Sequence, residues 1–277
     1  MRWRPFDTII FDCDSTLSSI EGIDELANIL DKKTEVKALT NSAMNGDTDL
    51  SEVYGQRLEL LKPTKQEVLA LRQAYKAGTV TYAKELVDAL NDLDTDTWIV
   101  SGGLHDAVEE YGIWLGIDSK KIHAVGSSYD PLRKKWWIPE LKHDAYLDYE
   151  SGELTETAGK GQLINQHIPN RSRKVMFGDG VSDLAAEDDV DLFVAYAGVI
   201  DRPAVTEKAR VVIQSESLAP ALCLIVGAER VIEMLNSKHK SLAEASLECI
   251  QSGAIRFNDN LLGEKFMSSF DHAMKGI

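Results

Sequence analysis

Thr8-Ile9-Ile10-Phe11-Asp12-Cys13-Asp14-Ser15-Thr16-Leu17 is a short apolar run that ends in two carboxylates. Four β-branched or aromatic side chains followed by acid read as a strand buried on both faces, with its carboxyl end at solvent. The pattern recurs. Thr97-Trp98-Ile99-Val100 leads into Ser101-Gly102-Gly103, and Lys174-Val175-Met176-Phe177 leads into Gly178-Asp179-Gly180. Shorter apolar runs at 122–125, 192–195 and 211–213 complete the set, the last being the expected end of the sheet. Helical spacing fills the intervals. Ile23, Leu26, Ala27 and Leu30 fall on one helix face, 50–61 is closed by Pro63, and Thr64-Lys65-Gln66-Glu67 has the form of a capping box opening a helix that runs to Gly78. Further helices are expected over 82–93, over 104–115, from near Lys160, and from Leu218 to the end. Residues 146–155, with Ser151-Gly152 in the middle, carry the turn signal of a hairpin.

Strands alternating with helices imply parallel pairing through right-handed crossovers. The expected fold is therefore α/β, a doubly wound parallel sheet formed by residues 1–18 and 80–215. Residues 19–79 contain no strand signal and read as an inserted helical cap. Residues 216–277 read as a helical C-terminal extension. The 277 residues suffice for one good core and a smaller accessory unit.

Composition narrows the function classes. With 45 acidic against 30 basic residues, the net charge of −15 offers no footprint for nucleic acid. No apolar run approaches the roughly 18–20 residues of a membrane span, and the N-terminus lacks the apolar stretch of a signal peptide. Cys13, Cys223 and Cys249 are odd in number and far apart, which fits neither a disulfide framework nor a CxxC metal site. A reducing cytoplasm is the expected compartment, and the oligomeric state is left open.

In open α/β sheets, ligands bind outside the carboxyl ends of the strands. Asp12, Asp14, Asp179 and Asp183 would meet there, with the Ser101 hydroxyl, the Gly102 and Gly103 amides and Lys160. Carboxylates so clustered repel one another, and a hard divalent cation such as Mg²⁺ relieves the repulsion. Lys160, Ser101 and the glycine amides supply donors for phosphate oxygens. A carboxylate can attack phosphorus. A second carboxyl two residues along an extended chain points to the same side and could exchange a proton with the leaving oxygen. Asp12 and Asp14 have that spacing, so the joint pattern points to Mg²⁺-dependent hydrolysis of a phosphomonoester at this pair.

Asp12-Cys13-Asp14-Ser15-Thr16 matches the D-x-D-x-T motif of the haloacid dehalogenase superfamily. Ser101, Lys160 and Gly178-Asp179-Gly180-Val181-Ser182-Asp183 resemble its second, third and fourth motifs, over about residues 7–215. The resemblance implies Asp12 as nucleophile and Asp14 as general acid and base. It implies metal held by the Asp12 carboxylate, the Asp14 main-chain carbonyl and Asp179, with Asp183 as a supporting acid. Within the superfamily the chain is most similar to phosphoserine phosphatases. Glu21-Gly22-Ile23-Asp24-Glu25-Leu26-Ala27, Met44-Asn45-Gly46 and Tyr54-Gly55-Gln56-Arg57-Leu58-Glu59-Leu60-Leu61 resemble that family's cap. By that resemblance Glu21 meets a substrate ammonium and Arg57 its carboxylate, which makes L-phosphoserine the expected substrate. The fourth motif carries Ser182 where the family pattern has Asn, making Ser182 a shorter substrate contact. Residues 129–140, with Arg133-Lys134-Lys135-Trp136-Trp137, read as an insertion, either a partner patch or an edge cover. Other small phosphomonoesters, such as phosphoethanolamine or a sugar phosphate, are the alternative substrates. A phospho-receiver domain also phosphorylates an aspartate in a doubly wound sheet, but the second aspartate and the cap argue against it.

Overall fold

The computed structural model describes residues 3–44, 50–130, 145–169 and 171–275, with the backbone alone for 40–44, 50 and 51. Nine strands are present among these residues: β1 (Thr8–Phe11), β2 (Asp96–Leu104), β3 (Ile122–Val125), β4 (Ser127–Asp130), β5 (Ala145–Tyr149), β6 (Lys174–Gly178), β7 (Leu192–Tyr196), β8 (Val211–Ile213) and β9 (Ile255–Phe257). Seven form one sheet in the order β3-β2-β1-β6-β7-β8-β9. Every pair is parallel except β8 with β9.

The chain steps from β1 outward through β2 to β3, then returns to the other side of β1 with β6. Strand order reverses there, so β1 and β6 flank the topological switch point where such sheets bind ligands. The register aligns the carboxyl ends. Phe11 pairs with Ile99 on one side and Phe177 on the other, so Asp12, Ser101 and Asp179 lie one or two residues beyond one aligned row.

Side-chain alternation sends successive residues to opposite faces, and both faces are covered. Ile9, Phe11, Val175, Phe177 and Val194 join one buried cluster, whereas Ile10, Val100, Met176, Phe193 and Ala195 join another. Burial on both faces explains the continuous apolar runs of the sequence.

Between β1 and β2 run α1 (Gly22–Ile29), α2 (Lys33–Met44), α3 (Leu50–Leu61), α4 (Lys65–Ala77) and α5 (Ala83–Asp92). The capping box of α4 is formed: the Thr64 hydroxyl accepts from the Glu67 N–H while the Glu67 carboxylate accepts from the Thr64 N–H. Helix α4 packs along α6 (His105–Leu115), and α1 packs on α4. The crossovers that follow carry α7 (Gly159–His167), α8 (Val181–Leu184) and α9 (Pro203–Thr206). The C-terminal part carries α10 (Ala219–Val226), α11 (Ala228–Met234), α12 (Lys240–Gln251) and α13 (Asn260–Met274). No helix among the described residues is long and apolar enough to cross a membrane.

Two local expectations change. Residues 146–155 do not fold back on themselves: β5 pairs with the preceding β4, antiparallel, and Ser151 and Gly152 lead into a single 3-10 turn at Glu153–Thr155. The tyrosines of β5 find a partner strand upstream, which the Ser-Gly turn signal did not show. The C-terminal part is not purely helical, because β9 adds an antiparallel edge to β8. Nor does it simply hang on the surface. Residues 219–225 of α10 are all buried, and the Trp3 indole donates to the Leu224 carbonyl at 2.7 Å. Asn45, Gly46 and the basic-aromatic stretch Arg133–Trp137 lie outside the described residues.

Candidate active site

Asp12 follows β1 directly, and its N–H donates to the Phe177 carbonyl of β6 at 2.9 Å. This bond holds the residue in line with the sheet at the switch point. The chain then coils tightly. The N–H groups of Leu17 and Ser18 both donate to the Cys13 carbonyl, and Ser15 takes a left-handed conformation with φ of 52°. The turn brings Glu21 back, and the Ser15 hydroxyl donates to Glu21 Oε1 at 2.8 Å. Cys13 points into the core, where burial raises its thiol pKa and leaves it inert.

Lys160 sits in the first turn of α7, 2 % exposed. Its Nζ donates to Asp183 Oδ1 at 2.6 Å and stands 2.9 Å from Asp12 Oδ1 as an ion pair. Burial works against the lysine's charge, but the Asp12 and Asp183 carboxylates outweigh it and raise the Lys160 pKa. The second Asp183 oxygen accepts from the Gly180 N–H at 2.9 Å, so both of its oxygens are engaged. Asp179 lies on the same edge, beyond β6, and Thr16 Oγ1 approaches its Oδ1 at 3.5 Å.

Carboxylate oxygens of Asp12, Asp179 and Asp183 lie within 4.8 Å of one another. Burial and the Asp12 charge push the Asp179 pKa up to about 6, and the same two causes push that of Asp183 up to about 7. Asp14 is raised well above the carboxylate range by burial and by Glu21. Glu21 is also raised, chiefly by burial.

These groups open on a cavity of about 200 Å³. Of the catalytic, substrate-binding and metal-binding residues expected from the sequence, all line it except Asp183, which is fully buried behind Lys160. Ser101 does so from within β2, which runs on through Ser101-Gly102-Gly103 rather than ending at Val100. The Gly103 N–H donates to Ser101 Oγ at 3.1 Å, so that amide is already spoken for, whereas Ser101 and Gly102 line the cavity. Helix α3 contributes Tyr54 and Arg57 to the lining. Arg57 Nε is buried with no hydrogen-bond partner, and burial lowers the Arg57 pKa. Ser182 lies on the wall beside Gly180.

Two residues that contact the site's carboxylates escaped the sequence reading. Arg202 precedes α9, and its guanidinium forks across the cavity: Nε donates to Asp179 Oδ2 at 2.8 Å and Nη2 to Glu21 Oε1 at 2.9 Å. The signal was available, because Asp201-Arg202-Pro203 follows β7 at the same edge. Tyr75, in α4, donates its hydroxyl to Asp14 Oδ1 at 2.6 Å. It lies 61 residues away in sequence, and nothing local announces it.

No family model matches the chain. It is 31 % identical over 231 residues to the phosphoserine phosphatase of Polaromonas sp. (strain JS666 / ATCC BAA-500), covering 81 % of this chain and 92 % of that one. It is 30 % identical over 226 residues to the chloroplastic phosphoserine phosphatase of Arabidopsis thaliana, covering 79 % and 73 %. Among solved structures, a phosphoserine phosphohydrolase-like protein from Francisella tularensis superposes with a TM-score of 0.66 at 24 % identity, over 82 % of this chain and all of that one. A phospho-aspartyl intermediate analogue of phosphoserine phosphatase superposes with a TM-score of 0.64 at 25 % identity, over 80 % and 100 %. Sequence, sheet topology and the aspartate-lined switch point agree: the chain belongs to the phosphoserine phosphatase family of haloacid dehalogenase-type phosphatases and is a phosphoserine phosphatase-like hydrolase.

Proposed function

We propose that the chain hydrolyses L-phosphoserine to L-serine and phosphate, with Mg²⁺ as its metal and Asp12 as its nucleophile. The observation that carries the substrate is Arg57. A guanidinium nitrogen buried without a partner costs free energy unless an anion arrives. Arg57 lines the cavity that Asp12 opens on, and Glu21 lines it too. A zwitterionic amino acid head needs one bidentate cation and one anion. Arg57 would take the carboxylate. Glu21 would take the ammonium through Oε2, since Oε1 already accepts from Ser15 and Arg202.

The donor set fits a hard divalent cation, because it consists of carboxylate oxygens crowded into mutual repulsion. Asp12, Asp179 and the Asp14 main-chain carbonyl would hold the ion. Asp183, with both oxygens engaged, would serve as the support that fixes Lys160. When bound, Mg²⁺ neutralises the carboxylates and the phosphoryl oxygens so that anion can approach anion.

The residues then divide the work. Lys160, the Ser101 hydroxyl and the Gly102 backbone hold the phosphoryl oxygens, and Ser182 adds a short contact. An Asp12 carboxylate oxygen attacks phosphorus, the bond from phosphorus to the serine oxygen breaks, and the Asp14 carboxyl gives that oxygen its proton. Phosphate now rides on Asp12. Asp14, deprotonated, takes a proton from water as the water oxygen attacks phosphorus. The bond from phosphorus to Asp12 breaks, and phosphate leaves. The raised pKa of Asp14 suits the first half of this cycle, in which it must carry a proton. Such a small phosphorylated metabolite fits a cytoplasmic location.

Phosphate release from L-phosphoserine, D-phosphoserine, phosphothreonine, phosphoethanolamine and sugar phosphates, with Mg²⁺ or with chelator, tests the proposal. Preference for L-phosphoserine that vanishes with chelator supports it. Preference for an ester without a carboxylate would remove Arg57 from its role.

A further inference from the structure

We propose that Tyr75 is a positioning residue for Asp14. It would hold Oδ1 as an acceptor and so leave Oδ2 to exchange the proton with the leaving oxygen. The inference rests on Asp14 as general acid and base.

The contact is built rather than incidental. Tyr75 is fully buried, and its hydroxyl reaches Asp14 Oδ1 at 2.6 Å. Two glycines make room for it. A Cβ on Gly22 would lie 2.3 Å from the Tyr75 hydroxyl oxygen, and one on Gly103 would lie 3.3 Å away. Gly22 follows Glu21, and Gly103 ends the Ser101-Gly102-Gly103 segment, so two arms of the site part around this one oxygen. The ring is held as firmly. It stacks on Tyr111 with centroids 5.4 Å apart, and the Tyr111 hydroxyl donates to the Leu17 carbonyl at 2.9 Å. The Tyr75 carbonyl accepts from Ser18 Oγ at 3.0 Å. Tyrosine, aspartate loop and α6 thus form one rigid block.

The chemistry follows from the two oxygens of a carboxylic acid. Its carbonyl oxygen is the better acceptor, and its hydroxyl oxygen carries the proton. A fixed donor on Oδ1 therefore favours the acid in which Oδ2 bears the proton, and prevents the carboxyl from presenting the wrong oxygen. In the second half of the cycle the same donor orients Oδ2 as the base. A hydrogen bond from a side chain on α4 also ties the acid to the helices between β1 and β2.

The test is the rate of phosphoryl transfer to the Mg²⁺-loaded enzyme in a single turnover. L-Phosphoserine, whose alkoxide must be protonated as it leaves, is compared with p-nitrophenyl phosphate, whose phenolate need not be. Asp14→Asn should slow L-phosphoserine by on the order of 100-fold, the scale of a lost general acid, and spare p-nitrophenyl phosphate. Tyr75→Phe should reproduce that selectivity with a smaller loss, roughly tenfold for L-phosphoserine and under about twofold for the phenyl ester. Tyr196→Phe, a hydroxyl loss at an equally buried tyrosine of β7 that does not line the cavity, should leave the ratio of the two substrates unchanged. In an Asp14→Asn background, Tyr75→Phe should slow L-phosphoserine no further. Equal slowing of both substrates by Tyr75→Phe, or additive slowing in the double variant, overturns the positioning role while leaving Asp14 in place. An Asp14→Asn enzyme without leaving-group selectivity overturns both.

Discussion

Lys160→Met keeps most of the volume of a side chain that is 2 % exposed and deletes its charge. In the parent, the ammonium lies 2.9 Å from Asp12 and 2.6 Å from Asp183. At an effective dielectric near 20, each contact is worth about 6 kcal/mol of attraction, against several kcal/mol per ion for dehydration. Breaking a buried pair from one side leaves the carboxylates uncompensated, which costs about 3–5 kcal/mol. For a chain of this size that corresponds to a melting temperature lower by roughly 10 °C. The loss should depend on pH. Asp183 already has its pKa raised to about 7, by burial and by Asp12, and Lys160 is the charge that restrains it. Without the lysine, the folded state binds still more protons than the unfolded chain between pH 4 and 8. Stability therefore falls as pH rises through that window, and the gap between parent and variant should widen from pH 5.5 to pH 8. Melting curves followed by circular dichroism in chelator, at both values, measure it. Saturating Mg²⁺ should recover part of the loss, because the cation neutralises the same oxygens. A variant that melts with its parent at pH 8 in chelator, or a gap that narrows with rising pH, would refute the reasoning.

Arg57→Ala should lower kcat/KM for L-phosphoserine by about 30- to 1,000-fold, the worth of a bidentate charged contact of about 2–4 kcal/mol, and should leave phosphoethanolamine nearly unaffected. Equal losses on the two esters would show that Arg57 meets no carboxylate. The gain in melting temperature on adding Mg²⁺ should be larger at pH 8 than at pH 5.5. The cation competes with protons on Asp179, raised to about 6, and Asp183, raised to about 7, both chiefly by burial. A gain independent of pH counts against these carboxylates as the metal's neighbours. Gly159→Ala would place a Cβ 1.4 Å from the Glu153 carbonyl oxygen, so the start of α7 must move and carry Lys160 with it. Thermal melts should show a loss of at least about 2 kcal/mol, whereas a neutral result would mean that the 3-10 turn yields freely.

The parallel sheet was legible because its strands are buried on both faces and read as uninterrupted apolar runs. The site was legible because chemistry at a switch point collects at strand ends, where Asp12, Ser101 and Asp179 stand one or two residues beyond an obvious run. What failed had non-local causes. β9 is three residues long and half-exposed, and only its pairing with β8 makes it a strand. The β4–β5 pair depends on residues 15 or more positions apart. Tyr75 reads as one more core position of an amphipathic helix, since its ring does pack in the core and only its oxygen differs. Arg202 lies beyond a strand end, but a lone arginine before a proline has no pattern of its own. Its fork joins Asp179, just beyond β6, to Glu21, just before α1, a link visible only when both loops are folded.

The most direct test of Asp12 as the nucleophile is to quench the Mg²⁺-loaded enzyme in acid during turnover of L-phosphoserine and locate the phosphoryl group by peptide mass spectrometry. We predict an acyl phosphate on the peptide that contains Asp12, absent from Asp12→Asn together with phosphate release. Turnover that persists in Asp12→Asn, or a phosphoryl group found on another residue, would contradict the assignment.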